Sequence, residues 1–213
     1  MKRANYIFIL LIAGLAAALA VALLVGSERV SVFEMTEQGR AILIDIRIPR
    51  VLLGACVGAS LALAGASLQA LLRNPLAEPY LLGVSNGAAL GTLIAFVLLG
   101  DVAGARPVLA FAGAAIATFA VYQMARSKAG MNVERLVLSG VIVTTFLSSV
   151  IVLLTSLLDA ARLRGYTFWL LGDVSQATYN GFYLTLAAAV AGTILLSSQA
   201  RALNLMMIGE RDA

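Results

Sequence analysis

The chain has 213 residues, of which 61% are hydrophobic and 12% charged, with a mean hydropathy of +0.96; soluble domains run nearer to about 45–50% apolar and about 25% charged, so the composition is that of an integral membrane protein. One cysteine, Cys56, and no histidine exclude a disulfide framework and the usual imidazole metal sites. The net charge of +4 comes from 15 basic residues scattered between apolar runs, which excludes the clustered basic stripe that holds nucleic acid.

A charge at the centre of a membrane helix costs roughly 2.5–3.5 kcal/mol, so charge-free windows of about 20 residues mark candidate spans. Six qualify, and helices are expected at about residues 5–26, 51–72, 80–100, 107–125, 136–158 and 177–198. The first follows Lys2 and Arg3 and has a rival reading as a secretory signal ending at Ala18-Leu19-Ala20. The apolar run continues through Val25 and five further spans follow, so a retained signal-anchor helix is expected. Glu28 to Arg50 forms a longer connection with room for a short surface helix, whereas the connections at Glu78, Asp101 to Arg106, Arg126 to Arg135 and Asp159 to Arg164 are brief. Short connections suit antiparallel neighbours. The expected architecture is therefore all-α: a polytopic bundle of about six transmembrane helices, in one domain over residues 1–213.

Arg47-Ile48-Pro49-Arg50 leads into the second window. Arginines flanking a span are commonly interfacial anchors, and proline suits a first helical turn. The second window then carries Gly54, Gly58, Ala62, Ala66 and Ala70 at four-residue spacing, and the third carries Gly83, Gly87 and Gly91 in the same register. Lipid gives helices no hydrophobic reason to associate, so these small residues are expected to form close helix crossings. Between the windows Pro75 disfavours helix at Asn74 and Pro79 repeats the interruption, which predicts a turn. Ser85 and Asn86 interrupt the apolar start of the third helix. Two readings stand for them: caps for local backbone groups, or residues facing an aqueous path. Tyr166 and Trp169 read as interfacial anchors ahead of the sixth span.

The six windows contain no Asp, Glu, Lys, Arg or His, the residues that mark the pathways of ion-coupled carriers. Neither lysine, Lys2 or Lys128, sits in a G-x-x-x-x-G-K-[ST] loop, so any ATP must be hydrolysed by another subunit and no cofactor is expected on this chain. The segment from Arg201 to Ala213 is too short to cross a bilayer, and reads equally well as a surface helix or as a helix lying against a partner.

The stretch from Arg47 to Gly91, RIPRVLLGACVGASLALAGASLQALLRNPLAEPYLLGVSNGAALG, closely resembles the permease subunits of ATP-driven importers for iron-siderophores, haem and vitamin B12, the FecCD/BtuC-like permeases of type II importers. Their pattern runs R-x-P-R, then G-A-x-L-x-x-x-G-x-x-x-Q, then N-P-L-A-x-P-x-x-L-G-V-x-x-G-A. Leu138-Ser139-Gly140-Val141 resembles the L-x-G-V that opens the family's fifth span, and Tyr166 to Gly172 its F/Y-W-x-x-G segment. The carboxyl end resembles its L-N-x-L-x-L-G-E-x-x-A, with Asn204, Gly209, Glu210 and Ala213 on pattern.

The resemblance implies a permease fold of about ten helices, of which this sequence holds six. It also implies that a second permease copy completes a central path. Arg47 and Arg50 would lie outside and pair with acidic residues of an extracytoplasmic substrate-binding protein. The fifth span would line the path at Ser139 and Gly140, with a gate region at Asn132, Val133 and Glu134. Asn204, Leu205, Gly209 and Glu210 would couple to a cytoplasmic ATPase subunit that holds ATP-Mg. The chain would lie in the cell (inner or plasma) membrane as a multi-pass protein with a cytoplasmic N-terminus. Charge favours that orientation once the long first loop is set aside, because eight basic residues then lie inside and three outside, although the full count is eight against seven. Ending four spans short, the sequence is expected to be a fragment, the product of a truncated gene, or a chain completed by a second polypeptide. The readings from other classes are a six-span half-transporter driven by an ion gradient and a non-transporting membrane scaffold.

Overall fold

A computed structural model describes residues 2–26, 28, 36–100, 102, 104–127 and 130–208. The chain divides into two compact units, one formed by Met1–Ser60 with Val174–Leu195 and the other by Leu61–Asp173 with Leu196–Ala213.

The first unit begins with α1 (Lys2–Leu24), an apolar helix with no acidic residue in its first turn and no basic residue in its last. Thr36 then caps α2 (Glu37–Ala41), its hydroxyl oxygen accepting from Gly39 N at 3.1 Å. A π-helical segment (Ile42–Arg47) joins α2 to α3 (Ile48–Leu72), in which the Ile48 N–H reaches back to Leu43 O. Pro49 offers no N–H to the carbonyl four residues back, and the ladder widens just before it. The described part of the expected loop, from Glu37 to Arg50, is therefore helical. Residues 37–72 form one run of 36 residues, about 54 Å at 1.5 Å per residue, longer than the roughly 30 Å hydrocarbon core requires. The unit closes with α8 (Tyr179–Ser198).

The second unit takes the end of α3 and turns at residues 73–77. Arg73 adopts a left-handed φ of 50° and Asn74 Oδ1 accepts from Leu76 N at 2.9 Å, so the turn predicted from Pro75 is present. A 3-10 turn (Pro79–Leu82) runs into Gly83, whose φ of 75° is one that side chains rarely adopt, and α4 (Val84–Leu98) starts there. The third expected span is thus broken in two. Its helix has 15 residues, about 22 Å, and is shorter than a full crossing. α5 (Ala105–Ala125) leads through a small hairpin, β1 (Arg126–Ser127) paired antiparallel with β2 (Gly130–Met131), into α6 (Val133–Ser156). Next come α7 (Ala160–Leu171) and, after α8, the short α9 (Ala200–Ile208). The core joins Leu72 and Ala77 to Ala117, Val121 and Ala125 of α5 and Leu136 and Val143 of α6.

Five helical runs, Asn5–Leu24, Glu37–Leu72, Ala105–Ala125, Val133–Ser156 and Tyr179–Ser198, are long and apolar enough to cross a membrane. The chain is an all-α multi-pass membrane protein. α7 has no counterpart among the expected spans, although its ends are written in the sequence. Asp159 caps it, accepting from Ala161 N and Arg162 N at 3.0 Å each, and Gly172 follows it at φ 81°.

Candidate docking and packing sites

The last carbonyls of α1 have no partners within the helix, and a cation near a helix C-terminus is favoured by roughly 0.3–1 kcal/mol. Arg47 meets that need. Its Nη1 donates to Leu23 O at 2.8 Å and to Leu24 O at 3.0 Å, and its Nη2 donates to Glu28 O. The guanidinium lies so close to Gly26 that a Cβ there would come within 2.7 Å of Arg47 Cζ. Only 8% of Arg47 is exposed. Arg47 is thus held on the end of α1. Arg50, half-buried, donates from Nη2 to Ser175 O at 2.9 Å. Its Nε is buried with no hydrogen-bond partner among the described residues. Tyr179 OH donates to Ile44 O of the π-helical segment at 2.7 Å. A cavity of about 700 Å³ opens beside the two arginines, lined also by Gly26, Glu28, Ile42 and Ile46.

The second site is a helix pair. A Cβ at Gly87 would lie 2.6 Å from Ala117 Cβ and 2.9 Å from Gly113 C, and one at Gly91 would lie 2.7 Å from Leu109 C. α4 and α5 therefore touch backbone to backbone. Gly113, the α5 residue of this contact, was missed by the sequence reading, and its only signal was the small-residue run Ala112-Gly113-Ala114-Ala115. Gly83 serves the turn through its φ; a Cβ there would meet nothing closer than Val143 Cγ1 at 3.4 Å. Gly54 and Gly58 are exposed, and among the described residues a Cβ at either would have nothing within 4 Å. Four-residue spacing fixes that residues share a face, not that a neighbour lies against it.

The Asn86 side-chain amide reaches a neighbouring helix rather than the backbone of its own helix start. Its Nδ2 donates to Thr144 O at 2.9 Å and to Ser148 Oγ at 2.6 Å, tying α4 to α6. Asn132, Val133 and Glu134 are exposed at the start of α6, where Asn132 Oδ1 accepts from Glu134 N at 2.8 Å as an N-cap. Ser139 and Gly140 are buried, and a Cβ on Gly140 would come within 3.2 Å of Leu81 C. Gly140 lies where α6 packs against the 3-10 turn. Tyr166 is likewise no surface anchor. It is 2% exposed, donates to Ala89 O at 3.3 Å, and meets Phe96 edge-on at 6.2 Å, while the Arg106 guanidinium sits 4.0 Å from the Phe96 ring centre. Asn204 and Leu205 are exposed on α9; Gly209 and Glu210 lie outside the described residues. Among the described residues no three His, Cys, Asp or Glu side chains gather as a metal site would need.

Residues 8–213 match the FecCD transport family. The chain belongs to that family. It is 40% identical over 185 residues to the cobalamin import system permease of Halobacterium salinarum, covering 85% of this chain and 49% of the relative. It is 34% identical over 175 residues to the hemin transport system permease of Yersinia pestis (80% and 52%), and 36% identical over 202 residues to the vitamin B12 import system permease of Escherichia coli (92% and 60%). Among solved structures, an inward-facing conformation of a metal-chelate type ABC transporter superposes with a TM-score of 0.85 at 26% identity, covering 98% of this chain and 67% of that one. The chain thus spans about half the length of the curated relatives it matches.

Proposed function

We propose that this chain supplies the membrane-crossing part of the permease in a binding-protein-dependent, ATP-driven importer for iron-siderophore, haem or cobalamin-like chelates. One observation carries the reading: residues 8–213 match the FecCD transport family. The chain would sit in the cell (inner or plasma) membrane with its N-terminus in the cytoplasm. Two permease copies would enclose the path, and an extracytoplasmic binding protein would deliver the chelate to the end that carries Arg50. The gate region Asn132 to Glu134 would lie at the cytoplasmic end.

A separate ATPase subunit would hold ATP-Mg. The exposed Asn204 and Leu205 of α9, followed by Gly209 and Glu210, would enter a cleft on it. An apolar helix face laid into a groove is a common recognition mode. Closure of two ATPases on ATP would move α9 and alternate the access of the path. The permease performs no covalent chemistry.

Gly209→Trp tests the coupling. Membrane insertion should be unchanged while ATPase co-purification falls at least about tenfold, the consequence of losing about 1.4 kcal/mol of contact. Undiminished co-purification would remove the coupling role, and uptake driven by an ion gradient without ATP would remove the importer reading altogether.

A further inference from the structure

Gly83, Gly100, Gly104 and Gly172 adopt a left-handed φ, and among the described residues Arg73, at φ 50°, is the one side-chain-bearing residue to join them. Arg73 closes α3 in a Schellman turn: its N–H donates to Ala70 O at 3.4 Å, and the Asn74 N–H donates to Gln69 O at 3.2 Å. Glycine is the usual residue at that position, because a Cβ there crowds the backbone. A cation is favoured near a helix C-terminus, but the last helical turn offers that benefit without the strain. The Arg73 side chain is exposed, and among the described residues no hydrogen bond or ion pair engages its guanidinium. The chain thus keeps an arginine at a strained position where nothing described within it uses the side chain.

The packing register shows what lies around it. Gly91 lies against Leu109, Gly87 against Gly113 and Gly83 against Ala117, while Gly140 lies against Leu81. Continued toward the turn, that register carries residues 73–77 to the end of α5 and the start of α6, and Leu72, Ala77, Ala125 and Leu136 do meet in one buried cluster. Arg73, Arg126 and Arg135 are chain neighbours of three of these residues, and all three arginines are exposed. Among the described residues the guanidiniums of Arg126 and Arg135 are also unengaged. Glu78 and Glu134 share this end without pairing to an arginine, and Asn74 and Asn132 are occupied as caps. Each arginine stands within three residues of the end of a helical run long and apolar enough to cross a membrane, Glu37–Leu72, Ala105–Ala125 or Val133–Ser156.

From this placement we infer that Arg73, with Arg126 and Arg135 beside it, forms a binding site for the phosphate of an anionic phospholipid. Helix ends at this boundary put guanidiniums at headgroup depth, where their long stems lie along apolar surface and their forks take phosphate oxygens two at a time. Three arginines against two carboxylates favour a headgroup of net negative charge over phosphatidylcholine, whose phosphate is already balanced by its own ammonium. Leu76, 82% exposed next to this cluster, suits the edge of the acyl region better than water. A protein partner would have to enter the headgroup layer to reach the same donors. The inference is independent of what the chain imports.

The test is native mass spectrometry of the full chain released from micelles that hold equal amounts of phosphatidylglycerol and phosphatidylcholine with the same acyl chains. The wild type should retain phosphatidylglycerol in preference. Arg73→Gly should cut that preference about fivefold, the order expected for one arginine near a lipid surface. Arg126→Gln and Arg135→Gln should each lower it too, and Arg73→Lys, which keeps the charge without the fork, should retain part of it. Thermal unfolding in nanodiscs gives a second readout. In phosphatidylcholine Arg73→Gly should unfold at a higher temperature than the wild type, because the backbone strain is gone, and it should gain less than the wild type when phosphatidylglycerol is added. Equal retention of the two lipids by the wild type would overturn the site. So would an Arg73→Gly chain that is less stable in phosphatidylcholine, which would make the arginine structural. Inorganic phosphate protecting the wild type as well as phosphatidylglycerol does would reassign the site to a free anion and overturn the lipid assignment. Weaker co-purification of the ATPase subunit with Arg73→Gly, at unchanged lipid preference, would overturn it in favour of a protein contact.

Discussion

The two units of this protein solve the same problem in opposite ways. In the unit containing α4, α5 and α6, helices approach until glycines meet backbone, and the core is Ala, Val and Leu with Gly87, Gly91 and Gly113 at the contact. In the unit containing α1, the π-helical segment and α8, side chains reach to carbonyls instead: Arg47 to α1, Arg50 to Ser175, Tyr179 to Ile44. Neither α1 nor α8 has a buried residue along its spanning window. Where water and lipid both fail to drive association, proteins have close van der Waals packing and hydrogen bonds left to use, and this chain divides them between its units.

The sharpest way to break the comparison is to add the same side chain to a glycine in each unit. Gly91→Leu must push apart two backbones, since even a Cβ would come within 2.7 Å of Leu109 C; the cost should be upwards of about 3 kcal/mol, as for severe overpacking. Gly58→Leu meets open space and should be close to neutral. Heating each variant in detergent and following the monodisperse fraction by size-exclusion chromatography separates them. If Gly58→Leu proved as damaging as Gly91→Leu, the α3 glycines would have a close neighbour that the described residues do not include.

A smaller effect tests whether the packed unit also relies on polar ties. Asn86→Ala removes both donated bonds, to Thr144 O and Ser148 Oγ. Interhelical hydrogen bonds in membranes average about 0.6 kcal/mol and reach about 1.7, so a loss of about 1 kcal/mol is expected in the same heating assay. Ser148→Ala, which removes only one of the two bonds, should lose less. Equal losses would mean that the Thr144 bond contributes nothing.

Spacing and charge carried most of the fold. Charge-free windows located every long helix, because an unpaired charge in hydrocarbon is too costly to hide. What they missed followed from geometry that no window sees. The third span is split because Gly83 is left-handed, and α7 is a helix because Asp159 and Gly172 bound it, although its twelve residues are too few to register as a span. The sites were less legible. Gly87 and Gly91 are in contact, whereas Gly54 and Gly58, drawn from the same rule, are not. An arginine before a span looks the same in sequence whether its guanidinium turns outward or, like that of Arg47, back onto a preceding helix end. That choice depends on a partner 23 or 24 residues earlier in the chain, which local pattern cannot encode.

The weakest effect expected lies at Asp159, and it asks whether a cap alone holds α7. The carboxylate accepts from Arg162 N and Ala161 N and lies 3.3 Å from the Arg162 guanidinium. These contacts, the Arg162 N–H foremost, hold its pKa below the ordinary 3.8 against an opposing desolvation. A lowered folded-state pKa means that the contribution is fully present above pH 3.8 and is lost as pH falls through the lower folded value. With both side chains more than half exposed, screening keeps the effect small. Hydrogen exchange across residues 159–171, corrected for the intrinsic pH dependence of the reaction, should therefore be flat from neutral pH down to about 4 and rise only below it. Asp159→Asn keeps an acceptor without a titration and should abolish that rise, while Asp159→Ala should raise exchange at every pH. A wild-type profile that stays flat below pH 3.8 would mean that the bond from Tyr166 to Ala89, deeper in the same helix, holds α7 without help from its cap.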